Sequence, residues 1–282
     1  MGQVSRVGLV GKMRSLQIVT KGNGAPLVLI PGLQGRWEYM APAVDALARS
    51  FRVVTFALCG ERTSGLRFDR SLGLDNFADQ VAAALDELRI DRAAICGVSF
   101  GGVVALRFAA TRPDRTIALV LASTPPPIWR LRRRHEVYAR VPWIFGPLFL
   151  LETPFRLRTE LMRTFPERRA RLQFGFRQLR TLLRAPVSVV RMAERGRLLA
   201  RLNLAADCQR VASPTLVVTG EPGLDHVVPT SGASEYLRLV PGARGAVVER
   251  TGHLGTITCP DAFAAVVSRF VAEVTSGARA VS

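Results

Sequence analysis

The sequence predicts a doubly wound α/β fold on a mostly parallel sheet with a helical insertion, and three observations predict it. Short apolar runs recur at 27–30, 53–58, 93–98, 117–122, 215–219 and 246–248, each long enough for one strand and with little polar alternation. Such runs suit central strands covered on both faces. Helical patterns separate them, as βαβ crossovers require. One run passes directly through Gly97-Val98-Ser99-Phe100-Gly101 into an Ala-rich helical pattern, so a strand and a helix meet at a sharp turn.

Taken in order, the more polar stretches 5–10 and 15–20 read as antiparallel edge strands preceding the parallel core. Run 27–30 opens into Pro31-Gly32-Leu33-Gln34-Gly35, a glycine-rich loop at a strand end. Phe77, Val81, Leu85 and Leu88 recur at helical spacing, with Asp75 placed to cap them. Val103 to Ala110 is apolar enough for a helix buried on most sides, ending before Pro113. Near the end, Phe263, Val266, Val267, Phe270, Val271 and Val274 form a stripe that Pro260 opens.

The segment 126–205 breaks the alternation, with no strand-like run bounded by turns. It divides the chain into a core, 1–125 and 206–282, and an inserted helical cap, 126–205. The insertion holds 18 arginines, no lysine and five glutamates, a net +13 of the chain's +17. It follows one strand and precedes another, so it lies over the C-terminal edge of the sheet, where open α/β folds bind ligands.

At 282 residues and 48% hydrophobic, the chain can bury a large core. Residues 1–14 lack a continuous apolar stretch and carry Arg6, Lys12 and Arg14, so no signal peptide is expected. The longest apolar run, 141–151, contains Pro142, Gly146 and Pro147 and falls well short of the roughly 20 residues of a membrane span. That run suits the cap's own core, an acyl pocket or a lipid contact. Cys59, Cys96, Cys208 and Cys259 have no metal-site spacing, which points to reduced thiols and a cytoplasmic setting, with peripheral membrane attachment left open. The arginine excess fits an anionic lipid surface or an acidic partner. A pI near 11.4 also raises nucleic acid, but no nucleic-acid-binding motif is present and the charge lies over a predicted site, so none is expected.

The chemistry rests on residues far apart in the chain. A serine hydroxyl is a weak nucleophile and needs a proud position, a base and N–H donors. In G-x-S-x-G the glycines let strand and helix approach closely enough to give Ser99 that position, and Phe100 offers its N–H from the helix start. The composition alone produces such a pattern by chance in about one chain in ten, so the flanking strand and helix carry the reading. Run 215–219 leads into a loop holding Asp225, and run 246–248 leads into Gly252-His253. Without the insertion, 46 residues separate Ser99 from Asp225, about one more strand–helix unit and a loop. All three therefore fall at neighbouring strand ends on one edge. Asp225 is preferred as the acid for its D-x-x-V-P context, while Glu221 on the same loop stays open. His226, beside the acid, is expected to face elsewhere.

Jointly, P-G-L-Q-G at 31–35, G-V-S-F-G at 97–101, G-E-P-G-L-D-H-V-V-P at 220–229 and G-H at 252–253 resemble the α/β-hydrolase superfamily, in its serine esterase branch with a helical cap. The resemblance implies Ser99 as nucleophile, His253 as base, Asp225 as its orienter, and the Leu33 and Phe100 N–H groups as an oxyanion hole. It implies a small-molecule ester substrate, with no metal or organic cofactor required. Pro31 stands where many relatives have His, and Ala57-Leu58-Cys59-Gly60-Glu61-Arg62 replaces the frequent D-x-R-G-H-G run. The same triad also serves C–C bond hydrolysis or perhydrolysis elsewhere, or persists in ligand-binding proteins, and the oligomeric state is not legible.

Overall fold

The computed structural model describes residues 4–5 and 15–279. In chain order come β1 (Val4–Ser5), β2 (Ile18–Lys21), β3 (Ala25–Ile30), α1 (Ala41–Leu47), β4 (Phe51–Phe56), α2 (Asp75–Glu87), β5 (Ala93–Val98), α3 (Phe100–Thr111) and β6 (Thr116–Ala122). Six helices follow: α4 (Arg133–Arg140), α5 (Pro142–Leu151), α6 (Thr153–Arg156), α7 (Arg158–Thr164), α8 (Arg168–Arg184) and α9 (Val189–Leu199). The chain then returns through α10 (Ala205–Arg210), β7 (Thr215–Gly220), α11 (Ser231–Leu239), β8 (Arg244–Val248), α12 (Gly255–Thr258) and α13 (Pro260–Arg279).

The strands form one sheet in the order β1-β2-β4-β3-β5-β6-β7-β8. β2 pairs antiparallel with β1 on one side and with β4 on the other, and every other pairing is parallel, so β4, β3, β5, β6, β7 and β8 all end on the same side. One apolar cluster joins the sheet to α2, α3, α10 and α11 through Phe77, Val103, Phe108, Cys208 and Tyr236. The other joins the opposite face to α1 and α13 through Leu47, Phe263, Val267 and Phe270. Burial on both faces explains why the central strands read as unbroken apolar runs.

Some boundaries differ from the sequence pattern. β4 begins and ends two residues before the run at 53–58, because Ala57 and Leu58 are buried in the loop after the strand, where the Leu58 N–H donates to Gly35 O at 2.8 Å. Apolarity marked burial there and not pairing. Asp75 is the first residue of α2 and makes no side-chain cap, although its charge still favours the helix start. Apart from Ser5, the edge strand expected over 5–10 lies outside the described residues.

Backbone meets backbone closely where α3 crosses β3 and β5. A Cβ on Gly97 would stand 2.1 Å from Gly101 O, and one on Gly101 would stand 2.2 Å from Ile30 O. These obstacles are backbone atoms, so no side-chain rotation relieves them. Replacing Gly101 by Ala is expected to lower stability by about 2 kcal/mol or more. Gly175 in α8 has nothing within 4 Å of such a Cβ, so Ala there should raise stability by up to ~1 kcal/mol. Urea unfolding of both variants checks the contrast, and equal midpoints would contradict it.

Candidate active site

Ser99 occupies the turn between β5 and α3 at φ 54° and ψ −120°, a left-handed conformation for a residue with a side chain. Such a backbone costs roughly 1–3 kcal/mol and persists only where its surroundings enforce it. Here they do. Ser99 N–H donates to Ala122 O of β6 at 2.8 Å, and Gly102 N–H donates to Ser99 O at 2.9 Å. The glycine contacts described above keep α3 pressed on the sheet.

Two strands along, the β7 loop holds Asp225 in a nearly closed environment. Its Oδ1 accepts the Val227 N–H at 2.9 Å and the Val228 N–H at 2.7 Å, while Oδ2 lies 3.0 Å from His253 Nδ1. The carboxylate is 2% exposed and the imidazole 13%. With Nδ1 donating to the carboxylate, Nε2 is the nitrogen left to exchange a proton. Burial pulls the His253 imidazole down, but the Asp225 charge and hydrogen bond, with the charge of Glu160, outweigh it and hold the group above the ordinary histidine value. Glu221 is engaged elsewhere: its Oε1 accepts the Arg250 N–H at 2.6 Å, and Arg163 lies 3.8 Å from Oε2. Among the described residues no hydrogen bond joins Ser99 Oγ to His253, and His253 stands outside the cavity wall that Ser99 lines. Such contacts often tighten only when substrate arrives.

Leu33 lies in the loop after β3, closed by a Gly35 N–H to Gly32 O bond of 2.9 Å. Arg195 of α9 donates to Leu33 O at 3.0 Å and pairs with Glu61 Oε1 at 2.7 Å. Both side chains of that ion pair are at most 4% exposed. Gly35, at φ +71°, leaves the space the guanidinium fills: a Cβ there would meet Arg195 Nη1 at 2.2 Å. Glu160 of α7 performs a matching task on the histidine loop. It is fully buried, and its Oε1 accepts Thr251 Oγ1 at 2.8 Å and the Leu254 N–H at 2.7 Å. Thr164 adds a bond to Arg250 O at 2.7 Å. The helical segment therefore grips both loops beside Ser99.

A cavity of about 550 Å³ lies between that segment and the sheet edge, with Ser99, Leu33 and Phe100 in its wall. Trp129, Tyr138, Phe149 and Met192 give it an apolar lining, and Arg132, Arg134 and Arg156 add charge. Arg134 pairs with Glu152, while Arg156 stacks 4.0 Å over the Phe149 ring. His226 points away from Asp225, as expected, and lines the cavity, while Asp225 accepts the Val227 and Val228 N–H groups and pairs with His253. The apolar run 141–151 does not form a core of its own. Pro142, Gly146 and Phe149 face the cavity, while Trp143, Ile144 and Leu151 are 60–70% exposed.

Glu160, Glu61 and Arg195 were not legible as site residues. A lone acid among arginines on a helix reads as a solvated charge, and only the substitution of Glu61 into an otherwise glycine-flanked loop hinted at a buried counterion.

The sequence profile of the alpha/beta hydrolase family matches residues 27–266. A pimeloyl-[acyl-carrier protein] methyl ester esterase of Nitrosomonas europaea is 27% identical over 268 residues, 89% of this chain and 97% of that protein. A 3-oxoadipate enol-lactonase of Acinetobacter baylyi is 32% identical over 122 residues, covering 42% of this chain and 44% of its own. The enol-lactonase structure from Burkholderia xenovorans superposes with a TM-score of 0.74 at 22% identity, over 91% of this chain and 96% of that one, a likeness of fold alone. With the family profile running from the first residue of the apolar run in β3 to the second turn of α13, the chain belongs to the alpha/beta hydrolase family.

Proposed function

We propose that the protein is a serine hydrolase that cleaves carboxylic esters through an acyl-enzyme. The observation that carries this reading is the strained Ser99 in the wall of an apolar cavity, on the same sheet edge as the His253–Asp225 pair. Esterase and lactonase relatives support an ester-type substrate.

In this mechanism Ser99 Oγ attacks the ester carbonyl carbon while His253 Nε2 takes its proton. The carbonyl π pair moves to oxygen, and the Leu33 and Phe100 N–H groups stabilise the resulting oxyanion. The oxyanion collapses, the C–O bond to the alcohol breaks, and imidazolium returns the proton to the leaving oxygen. Water then adds by the same route and releases the acid and Ser99. Asp225 fixes the tautomer and orientation of His253 and stabilises its charged form. The helical segment 126–205 acts as the cap that closes the site and supplies the apolar wall, which suits a substrate with a hydrocarbon chain. Free Cys59, Cys96, Cys208 and Cys259 support a cytoplasmic setting, and no helix among the described residues is long and apolar enough to cross a membrane.

Ser99→Ala should lower turnover of a p-nitrophenyl ester by at least about 10³-fold with an unchanged melting temperature. Retained turnover would overturn the assignment. The pH profile supplies a second check. A base works only when neutral, so activity falls as pH drops through the His253 pKa, and a raised value places that acid limb above the ordinary histidine range. Glu160→Gln keeps an acceptor for Thr251 and Leu254 but removes one charge that raises the imidazole. The acid limb of kcat/KM should therefore move to lower pH in that variant, and a limb that stays put would show that Glu160 does not influence the base.

A further inference from the structure

α8 carries six arginines and no acidic residue across Arg168–Arg184. None of the six joins an ion pair among the described residues. The helix is also amphipathic in an inverted sense. Phe174 is buried beneath it, its ring tilted against Phe165 with centroids 5.4 Å apart, while Leu172, Phe176, Leu179 and Leu183 are 58%, 74%, 51% and 75% exposed. Their spacing of four, three and four residues sets them on one face, on the side opposite Phe174. On the same wheel Arg168 borders one side of the apolar stripe, and Arg169 and Arg180 border the other. A second exposed apolar set lies on the α5–α6 stretch, with Trp143, Ile144, Leu151 and Phe155 at 60–80%. Phe155 also lines the cavity.

We propose that α8 docks on an anionic lipid bilayer, lying in the interface with its leucine and phenylalanine stripe among the acyl chains and its arginines among the headgroups. Arginine stems cover apolar surface while their charged ends reach outward, which suits the edge of a stripe lying at headgroup depth. Charge decides the occupant. The segment 126–205 carries +13, so a second copy of this chain would bring like charge against like charge, whereas an anionic leaflet supplies the counter-charge over a wide area. A soluble acidic protein would answer the arginines but not the four exposed apolar side chains between them. This inference goes beyond the hydrolase reading and does not depend on it.

The test is co-sedimentation of the full-length protein with vesicles of phosphatidylcholine alone or mixed with phosphatidylglycerol. Binding is expected to the mixed vesicles at low ionic strength, to weaken steeply as salt shortens the screening length, and to be about tenfold or more weaker on neutral vesicles. The double variant Phe176→Ser/Leu183→Ser should lose about tenfold or more in binding, and it should keep full turnover of a soluble ester, because both side chains face outward. That turnover verifies the fold and separates failure of docking from failure of the Ser99 mechanism. Three results would overturn the proposal: no binding to anionic vesicles at low salt, equal binding by the double variant, or a wild-type dimer that the double variant dissolves into monomers. Binding to soluble polyglutamate as strong as to vesicles, and unaffected by the double variant, would point instead to an acidic protein and overturn it as well.

Discussion

The constraint on which the rest of the site depends is the distance between α3 and the two strands it crosses. Gly97 and Gly101 allow backbone to meet backbone, and that approach is what bends the chain through Ser99 at φ 54°. Loosening it would let Ser99 relax into an ordinary rotation, drop its hydroxyl from the cavity wall and swing the Phe100 N–H away from it. The strain is held by the surrounding sheet: Ser99 is tied to β6 through Ala122, and Phe100 is locked edge-on against Phe77 with centroids 5.3 Å apart. The strained conformation of Ser99 and the packing of the core are therefore one property of this turn.

A second layer of control comes from two buried charges in the most basic part of the chain. Arg195 reaches down to Leu33 O and Glu61, and Glu160 reaches down to Thr251 and Leu254. Both are removed from water, so each is costly unless its hydrogen-bonding groups are met. Arg195 is met by a carboxylate and a carbonyl. Glu160 is met on one oxygen only, since Oε2 has no partner, which leaves a negative field directed at the histidine loop. In a segment of net +13, an acid positioned in this way acts locally against the prevailing sign.

The legible parts of the sequence were those governed by period and by steric exclusion. The strand at 93–98, the helix after it and the glycines around Ser99 follow from patterns that local physics enforces, and the pairing of Asp225 with His253 in preference to Glu221 agrees with its D-x-x-V-P setting. The illegible parts depended on partners distant in the chain. Nothing near Glu160 distinguishes it from Glu167, which is exposed; only the docking of α7 on the histidine loop does. The apolar run of α5 was ambiguous for the same reason. Hydrophobicity says that a side chain avoids water, not whether a core, a ligand cavity or another phase receives it.

The Arg195–Glu61 pair joins two pieces of chain that differ most in composition, and it makes them mutually dependent. A chimera whose grafted helical segment has no arginine in the place of Arg195 would strand the Glu61 carboxylate in a dry pocket beside Gly35. Replacing Glu61 alone by a neutral residue would strand the guanidinium instead. The helical segment of this scaffold is therefore not a freely exchangeable module: any transplant has to carry both halves of the buried pair across the seam together.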